Sequence, residues 1–472
     1  MTEQTPVRIA GERFTSEQSK DVLAPYGGTV VGTVPVCDAD DVDRAYQGAH
    51  AALERDDFPQ HARARVLEVA ADLLRSRVDD FARTIASEAG KPIKTARVEA
   101  QRCVDTLVFA AVEARRLAGE MVPVEASEAG AGKLAFALRV PIGVIGAISP
   151  FNFPLNLVAH KLAPAVAAGC PVVLKPAGQT PLSAIGLVEL LVEAGLPPDW
   201  ISVVTGPGSS IGDALGEHEV PRMITFTGSP PVGWAIAAKA PKKKVSLELG
   251  SNSPLIIEPG SDLDAVAAKV KVAGFSHAGQ SCISTQRVIV HRDVHEEFVA
   301  TLAKAVESLV VGDPLDEATD VGPLIEPGET ERVCQWIADA VANGAEVVTG
   351  GEVVDGMLLP TVVDGAPLDS DLCAREVFGP VVVTIAYDEF EEALAIADDS
   401  TQKLNVGLFT DDLGKALQAI RRLHFGAVLV NEVPTWRADQ MPYGGVLDAG
   451  NTREGPPYAV REMTELRFVS FQ

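Results

Sequence analysis

Apolar residues between positions 40 and 120 recur every three or four places, beginning at Val42. This spacing predicts a series of amphipathic helices. Asp79 is placed to cap the third helix and Gly90 to end it, and Pro92 is placed to start a longer one. These helices carry no obvious chemical group, so we predict no site there.

From Val140 onward the pattern changes to short apolar runs that alternate with helical segments. Five of these runs are predicted to be strands, at 144–148, 172–174, 201–204, 223–226 and 245–249. Strands that are apolar on both faces belong in a parallel sheet covered by helices. The pattern therefore predicts a doubly wound α/β domain, whose ligands bind beyond the carboxyl ends of its strands.

The alternation repeats in the second half of the chain and predicts a second α/β domain that begins near Gly250. Its predicted strands are 254–257, 288–290, 381–385, 406–409 and 427–431. Two further segments, 122–140 and 466–471, alternate in the manner of exposed strands. Because an unpaired strand edge invites pairing with another chain, these two segments predict a contact between subunits.

Charge and composition exclude several classes of partner. The 472 residues are 47% apolar and include 65 acidic against 40 basic side chains, a net charge of -25. Such a surface repels phosphate backbones and anionic lipid, so we expect no nucleic-acid or membrane partner. The N-terminus lacks the apolar core of a signal peptide, and no apolar run is long enough to span a bilayer. We expect a cytoplasmic protein.

The six cysteines are scattered, with no CxxC pair and no closely spaced histidine. Neither a disulfide framework nor a metal site is predicted. Cys282 differs from the others because it lies among small and polar residues, in the stretch 275–287. A thiol in such surroundings can be an accessible nucleophile, whereas a lone cysteine is more often an inert buried residue. The window by itself leaves both interpretations open.

Polar residues gather where the predicted strands of the first sheet end, at 149–153, 175–177 and 226–229. The Gly228-Ser229 turn, followed by Pro230, opens a helix and offers free N–H groups and a hydroxyl to a pyrophosphate. The GxGxxG fingerprint is absent. From these residues alone, a nucleotide site and a purely structural turn are about equally supported.

Five stretches together resemble the aldehyde dehydrogenase superfamily. They are the Cys282 window, Ser-Pro-Phe-Asn-Phe-Pro at 149–154, Phe-Thr-Gly-Ser at 226–229, Leu-Glu-Leu-Gly at 247–250 and Glu-Val-Phe-Gly-Pro at 376–380. Their order and spacing match that family over nearly the whole chain. The resemblance implies two doubly wound α/β domains, one Rossmann-like and cofactor-binding, the other catalytic, with a small β arm for oligomerisation.

The resemblance also implies how these domains divide the chain. Residues 1–121 and 141–249 would form the cofactor-binding domain, 250–448 the catalytic domain, and 122–140 with 449–472 the arm. In the family such an arm joins subunits, so we expect a homodimer or a homotetramer.

Carried over to this sequence, the family's mechanism assigns three catalytic residues. Cys282 would attack the aldehyde to give a thiohemiacetal, and the side-chain amide of Asn152 with the backbone N–H of Cys282 would bind the oxyanion. Glu248 would activate the water that hydrolyses the resulting thioester. We expect burial to raise the pKa of Glu248. Its presence favours release of a free acid over transfer to coenzyme A.

The resemblance places NAD or NADP at the first sheet. Lys175 and Ser229 would bind the adenosine ribose and the pyrophosphate, and Glu376 the nicotinamide ribose. Gly178 stands where the family often has a ribose-binding glutamate, which favours acceptance of either cofactor. The residues expected at the cofactor are Ser149, Phe151, Lys175, Ala177, Gly178, Gly208, Phe226, Gly228, Ser229, Leu249, Glu376 and Phe378.

The substrate tunnel implied by the resemblance suits a small polar aldehyde, because His160 stands where Trp is common. Arg437 would meet an anionic substrate or form a surface ion pair. Ser281 replaces an arginine found in branches that bind phosphate. The nearest branches are the lactaldehyde, non-phosphorylating glyceraldehyde-3-phosphate and phosphonoacetaldehyde dehydrogenases. The residues expected at the substrate are Leu157, His160, Ser281, Ile283, Tyr443 and Arg437.

Two alternatives accompany this interpretation. Within the family, the enzyme could act on a semialdehyde or a phosphorylated aldehyde. Outside it, Cys282 with a base such as His277 could serve a cofactor-free cysteine hydrolase or acyltransferase. Production of reduced cofactor would separate the two classes.

Overall fold

The computed structural model describes residues 4–472. Its α-helices are α1 (Ala39–Arg55), α2 (Gln60–Ser76), α3 (Val78–Ala89), α4 (Ile93–Arg116), α5 (Asn156–Ala168), α6 (Leu182–Glu193), α7 (Gly208–Glu217), α8 (Pro230–Lys239), α9 (Leu263–Phe275), α10 (Arg292–Glu307), α11 (Pro327–Ala342), α12 (Asp371–Ala374), α13 (Phe390–Asp398), α14 (Leu413–Arg422) and α15 (Pro456–Glu462). Short 3-10 turns occupy Val124–Ala126, Glu128–Gly130 and Ser276–Gly279.

Within residues 4–472 the strands divide among two large sheets and five small ones. They are β1 (Val7–Ile9), β2 (Glu12–Phe14), β3 (Ser19–Leu23), β4 (Val30–Pro35), β5 (Glu120–Met121), β6 (Leu134–Pro141), β7 (Ile145–Ile148), β8 (Val172–Lys175), β9 (Ile201–Val203), β10 (Met223–Thr227), β11 (Lys244–Glu248), β12 (Ser253–Ile257), β13 (Thr285–His291), β14 (Glu346–Thr349), β15 (Val353–Val354), β16 (Met357–Leu358), β17 (Thr361–Asp364), β18 (Val381–Tyr387), β19 (Gln402–Lys403), β20 (Asn405–Phe409), β21 (Ala427–Val430), β22 (Val446–Leu447) and β23 (Thr464–Phe471).

The first large sheet has the order β11-β10-β7-β8-β9, and all its strands are parallel. The five predicted strands of the first domain are these five. In the register of this sheet Ile148 is opposite Lys175, and Thr227 is opposite Glu248. The motifs that follow β7, β8, β10 and β11 therefore meet at one edge, as the carboxyl ends of parallel strands must.

The second large sheet has the order β14-β17-β18-β13-β12-β20-β21. Five consecutive strands of this order, from β18 to the edge strand β21, match the five predicted from the sequence. The edge strand β14 and its neighbour β17 were not predicted. Both have only four residues, and β14 is exposed or half-buried throughout, which leaves no clear alternation to detect. The doubly wound α/β class predicted for both halves of the chain is confirmed.

The helix boundaries agree with the sequence except at Asp79. Helix α3 begins at Val78, so Asp79 lies inside its first turn and does not cap it. The carboxylate of Asp79 instead accepts from Nε of Arg97 at 2.6 Å. Gly90 ends α3 in the left-handed conformation, at φ 66°, as a glycine at this position can do without strain.

The arm is a three-stranded antiparallel sheet of order β23-β6-β5. Strand β23 pairs with β6 along its whole length, from Thr464 opposite Pro141 to Phe471 opposite Leu134. The expectation of strand throughout 122–140 was wrong, since 122–133 consists of turns, including two of the 3-10 type, and Gly130 could not bear a side chain against the carbonyl of Val124.

Helix α15, just before β23, packs on α4 and α5. Val460 and Met463 belong to the same apolar core as the first large sheet. The last strand of the arm is thereby anchored on the part of the molecule that contains the first large sheet. No helix within residues 4–472 is long and apolar enough to cross a membrane.

Candidate active site

The loop that carries Cys282 is held in an unusual backbone conformation. After α9, His277, Ala278 and Gly279 all have positive φ, at 51°, 55° and 71°. A side chain on Gly279 would bring its β-carbon within 2.0 Å of the carbonyl oxygen of Gly379. The glycine lets the 376–380 loop pack directly on the loop of the nucleophile, which brings two of the five motifs together.

The thiol of Cys282 is half-buried and has one polar neighbour, the hydroxyl of Tyr443, at 2.8 Å from Sγ to Oη. Burial raises the pKa of Cys282 to about 12. The Tyr443 hydroxyl and the charge of Arg437 oppose this rise, whereas the carboxylates of Glu376 and Glu248 add to it. The thiol is therefore protonated in the free protein and needs help to ionise.

Asn152 follows β7 and reaches the nucleophile loop. Its Nδ2 donates to the carbonyl of Gln280 at 2.9 Å. Gln280 is fixed in turn, since its side chain donates to the carbonyl of His277 and accepts from the backbone N–H of Ile325. Asn152 is thus oriented by the residues immediately before Cys282.

Glu248 ends β11 and is 5% exposed, and neither of its carboxylate oxygens has a hydrogen-bond partner within residues 4–472. Burial raises the pKa of Glu248 well above its usual value, and the nearby carboxylate of Glu454 adds to the rise. Arg437 and Lys161 act in the opposite direction. The expected elevation of this pKa is present, and its largest cause is burial.

Behind Cys282 and Glu248 lies a buried polar cluster. Arg437 pairs with Glu454 at 2.9 Å, and both side chains are only 6% exposed, so this is not the surface ion pair considered from the sequence. The guanidinium of Arg437 stacks on the ring of Tyr443, 3.8 Å from its centroid. Lys161 donates to the hydroxyls of Thr225 and Thr227.

His160 belongs to this cluster and does not line the cavity that contains Cys282. Its Nε2 is 3.0 Å from a carboxylate oxygen of Asp439, which also binds Arg102. Burial, followed by the charge of Arg437, lowers the pKa of His160, so the ring is neutral. It lines a small separate cavity together with Glu248 and Glu454.

One cavity of about 330 Å³ collects most of the residues predicted for catalysis and cofactor binding. The predicted residues that line it are Phe151, Asn152, Leu157, Ala177, Gly228, Ser229, Glu248, Leu249, Cys282, Glu376 and Phe378. Pro150, Thr227 and Gly250 line it as well. The predicted residues outside its lining are Ser149, His160, Lys175, Gly178, Gly208, Phe226, Ser281, Ile283, Arg437 and Tyr443.

Comparison with known proteins agrees with this geometry. The model of the aldehyde dehydrogenase family matches residues 14–469. The chain belongs to the aldehyde dehydrogenase family. It is similar to 3-sulfolactaldehyde dehydrogenase of Priestia aryabhattai, with 45% identity over 99% of each chain. It is also similar to lactaldehyde dehydrogenase of Methanococcus vannielii, with 36% identity over 97% of this chain and 98% of the other.

A solved structure of the family superposes closely on this chain. It is the NADP-dependent glyceraldehyde-3-phosphate dehydrogenase of Bacillus halodurans C-125 complexed with NADP, with a TM-score of 0.97 and 35% identity, covering 100% of this chain and 99% of that one. The enzyme is thus an NAD(P)-dependent aldehyde dehydrogenase, which confirms the activity and the cofactor class expected from the five motifs.

The residues at the cofactor side of the cavity fit a dinucleotide. Ser229 precedes α8 without using its side chain as a cap, so its hydroxyl is available to a phosphate, and Pro230 takes the first helical position. Glu376 accepts from the backbone N–H of Ser251 at 3.0 Å. A β-carbon on Gly250 would lie 2.1 Å from Oε2 of Glu376, so the glycine is what admits this carboxylate.

His277 is poorly placed for the hydrolase hypothesis. Neither ring nitrogen has a hydrogen-bond partner within residues 4–472, and the thiol of Cys282 is hydrogen-bonded to Tyr443 instead. Burial, with the charge of Lys91, holds the pKa of His277 well below its usual value. A base that must receive the proton of the thiol should contact it, and this ring does not.

Sequence reasoning missed Lys161 and Glu454, whose charges act on the pKa of Glu248. Lys161 did leave a signal, because it is a charged residue in α5, a helix that is otherwise almost entirely apolar and is buried on every side. A buried lysine needs polar partners, which here are two threonines of β10. Glu454 lies in a loop whose composition carries no such signal.

Proposed function

We propose that this enzyme oxidises a small polar aldehyde to its carboxylic acid through a thioester on Cys282. The observation that carries the proposal is the shared cavity: Cys282, Asn152 and Glu248 line the same 330 Å³ space, with Glu376 at its cofactor side. A nucleophile, an oxyanion donor and a base around one reacting carbon are the groups this chemistry requires.

In the first step Cys282 loses its proton to solvent and, as a thiolate, attacks the aldehyde carbon. The hydroxyl of Tyr443 stabilises the thiolate, since it lies 2.8 Å from Sγ. The oxyanion that forms is bound by the backbone N–H of Cys282, which has no acceptor within residues 4–472, and by the second N–H of the Asn152 amide. Both donors are held in place before the reaction, which is the condition for strong stabilisation.

NAD or NADP, when bound, supplies the hydride acceptor that turns the thiohemiacetal into a thioester. We assign the adenosine ribose to Lys175, the pyrophosphate to Ser229 and the nicotinamide ribose to Glu376. Burial raises the pKa of Glu376 to about 7. The rings of Phe151 and Phe378 meet edge to face at 5.8 Å and give the same cavity an aromatic wall.

Glu248 then takes a proton from the water that hydrolyses the thioester. Its raised pKa makes it a stronger base than an exposed carboxylate. Because its oxygens are free of hydrogen bonds, the carboxylate can turn toward Cys282 once the acyl group is in place. A β-carbon on Gly444 would lie 2.8 Å from Oε1, so this glycine preserves the space that the turn needs.

For the substrate we propose a short aldehyde that carries a hydroxyl or an anionic group. Support comes from the 3-sulfolactaldehyde and lactaldehyde dehydrogenases among the relatives. Arg437 is paired with Glu454 behind the cavity, so we propose that its positive charge acts on an anionic substrate through the ring of Tyr443. Leu157, Ser281, Ile283 and Tyr443 remain the proposed tunnel residues. We propose His160 as a support for Arg437, from which it is 3.1 Å away.

A semialdehyde or a phosphorylated aldehyde is the second candidate. The superposed glyceraldehyde-3-phosphate dehydrogenase favours the phosphorylated form. Ser281, in place of an arginine, disfavours it, because no second cation then stands beside the nucleophile.

The test follows the absorbance of reduced nicotinamide with a panel of aldehydes, each with NAD and with NADP. The panel is lactaldehyde, 3-sulfolactaldehyde, succinate semialdehyde and glyceraldehyde 3-phosphate. We expect turnover with the first two in the wild type and none in Cys282→Ala. Turnover with only the last two would replace the substrate proposal, and turnover in Cys282→Ala would overturn the mechanism.

We further propose the division into a cofactor domain, a catalytic domain and an arm with the boundaries given above, and a homodimer or homotetramer joined through the arm. Exposed apolar residues on β23 support the assembly. All six cysteines are free thiols, which supports a cytoplasmic location, where thiols stay reduced.

A further inference from the structure

The N-terminal hairpin of β3 and β4 places a lysine at the carboxyl end of β8. Lys20 lies on β3, opposite Val34, and is exposed. A β-carbon on Gly178 would lie 3.1 Å from Nζ of Lys20. The ammonium group therefore occupies the space directly above the glycine that follows Lys-Pro-Ala.

Lys20 shares this space with Lys175. Lys175 is only 7% exposed, and its pKa is lowered first by burial and then by the positive charge of Lys20. Within the described residues, 4–472, no carboxylate or hydrogen-bond acceptor is among the influences on Lys175, and the one charge that acts on it is that of Lys20. Two cations that act on each other in this way repel, and each lacks a carboxylate partner in the described part of the chain. An anion that enters between them is bound by both.

We propose that Lys20 and Lys175 together bind a phosphate on the adenosine ribose, so that Lys20 selects NADP over NAD. The proposal rests on the proposed function, in which Lys175 is assigned to the adenosine ribose. A 2′-phosphate brings the negative charge that the pair lacks, whereas a 2′-hydroxyl does not. Gly178 leaves space for this phosphate, because a side chain at position 178 would occupy the space next to Nζ of Lys20.

The test measures binding of cofactor fragments to the full chain by titration calorimetry. Adenosine 2′,5′-bisphosphate carries the phosphate in question, and adenosine 5′-monophosphate lacks it. We expect the wild type to bind the bisphosphate more tightly than the monophosphate. Lys20→Ala should lower the affinity for the bisphosphate about tenfold, because one charge-assisted hydrogen bond is lost, and should leave the affinity for the monophosphate unchanged. Lys304→Ala is the control, an exposed lysine of α10.

A second variant introduces the missing carboxylate. Gly178→Glu should pair with the two lysines and reverse the preference, so that the monophosphate binds more tightly than the bisphosphate. The new β-carbon meets only the flexible end of Lys20, so the fold tolerates it. Equal binding of both fragments by the wild type, or equal weakening of both by Lys20→Ala, would overturn the proposal.

These fragments contain no nicotinamide and need no aldehyde. If they bind as expected and no aldehyde is oxidised, the proposed function fails and the role of Lys20 stands. If aldehydes are oxidised and the fragments do not discriminate, the role of Lys20 fails alone.

Discussion

The Sγ atom of Cys282 and the Oη atom of Tyr443 lie 2.8 Å apart, and the guanidinium of Arg437 stacks on the ring of the same tyrosine. Burial holds the pKa of Tyr443 well above its usual value, so its hydroxyl keeps its proton. Against a thiolate, this hydroxyl can only donate. Tyr443 is therefore a neutral group that contacts both the nucleophile Cys282 and the buried cation Arg437.

Removal of this hydroxyl in Tyr443→Phe should make Cys282 harder to ionise. Because the hydrogen bond from Tyr443 lowers the pKa of Cys282, its loss moves that pKa upward and reduces the thiolate present at any pH below it. We expect alkylation of Cys282 by iodoacetamide at pH 8 to slow by about five- to tenfold, the effect of one hydrogen bond to a charged group. Tyr26→Phe, at an exposed tyrosine, is the control. An unchanged alkylation rate would mean that Tyr443 only packs against the thiol.

Glu248→Gln should leave formation of the thioester intact and block its hydrolysis. We expect one equivalent of reduced cofactor per active site in a rapid burst, followed by turnover slowed about 100- to 10,000-fold, the usual contribution of a general base. Mass spectrometry should show the acyl group on Cys282. Without a burst, Glu248 would be needed before hydrolysis, to deprotonate the thiol.

The same residue should set the lower limit of the pH range for hydrolysis. A carboxylate acts as a base only when it is deprotonated, and burial raises the pKa of Glu248 well above 4.5. Hydrolysis should therefore decline as the pH falls through this raised pKa, at a pH where exposed carboxylates are still ionised. The measurement is the pH dependence of kcat between pH 5 and pH 9 with a saturating aldehyde. A flat profile down to pH 5 would show that the pKa is not raised when ligands are bound.

Most strands of the two large sheets could be predicted from the sequence because they are buried on two faces, although β21 is not. Five-residue runs such as Met223–Thr227 are apolar enough to stand out and are bounded by helices. The catalytic side chains were assigned from the resemblance of five motifs to a known family, and they sit where these strands end or, for Cys282, just before a strand begins. Short exposed strands such as Glu346–Thr349 have no such signature.

The orientation of polar side chains could not be predicted in the same way. The resemblance placed His160 beside the substrate, yet its ring faces Asp439, a partner 279 residues away along the chain. Likewise, nothing near Lys20 in the sequence indicates that β3 brings it to Gly178. Such pairings depend on how distant segments pack, which local periodicity does not report.

Gly250→Ala should weaken cofactor binding more than it destabilises the fold. A β-carbon at this position would overlap the carboxylate of Glu376, at 2.1 Å from Oε2, and would push it away from the cavity. We expect the affinity for NADPH, measured by fluorescence titration, to fall at least tenfold, as expected when a hydrogen-bonding carboxylate is lost from the site. Gly216→Ala is the control, because its β-carbon would meet nothing closer than 3.9 Å. Equal affinities for NADPH in Gly250→Ala and Gly216→Ala would contradict the assignment of Glu376 to the cofactor site.

Charge placed on the arm should dissociate the proposed oligomer. Leu466 and Phe468 are 52% and 58% exposed on β23, the edge strand of the arm, and a free edge with apolar side chains is suited to pair with another subunit. We expect the double variant Leu466→Asp, Phe468→Asp to reduce the mass measured by light scattering to that of one chain, because burial of two carboxylates in an interface is strongly unfavourable. Leu413→Asp, at a leucine 72% exposed on α14, should leave the mass unchanged. If only Leu413→Asp reduced the measured mass, the interface would lie at α14 and not at the arm.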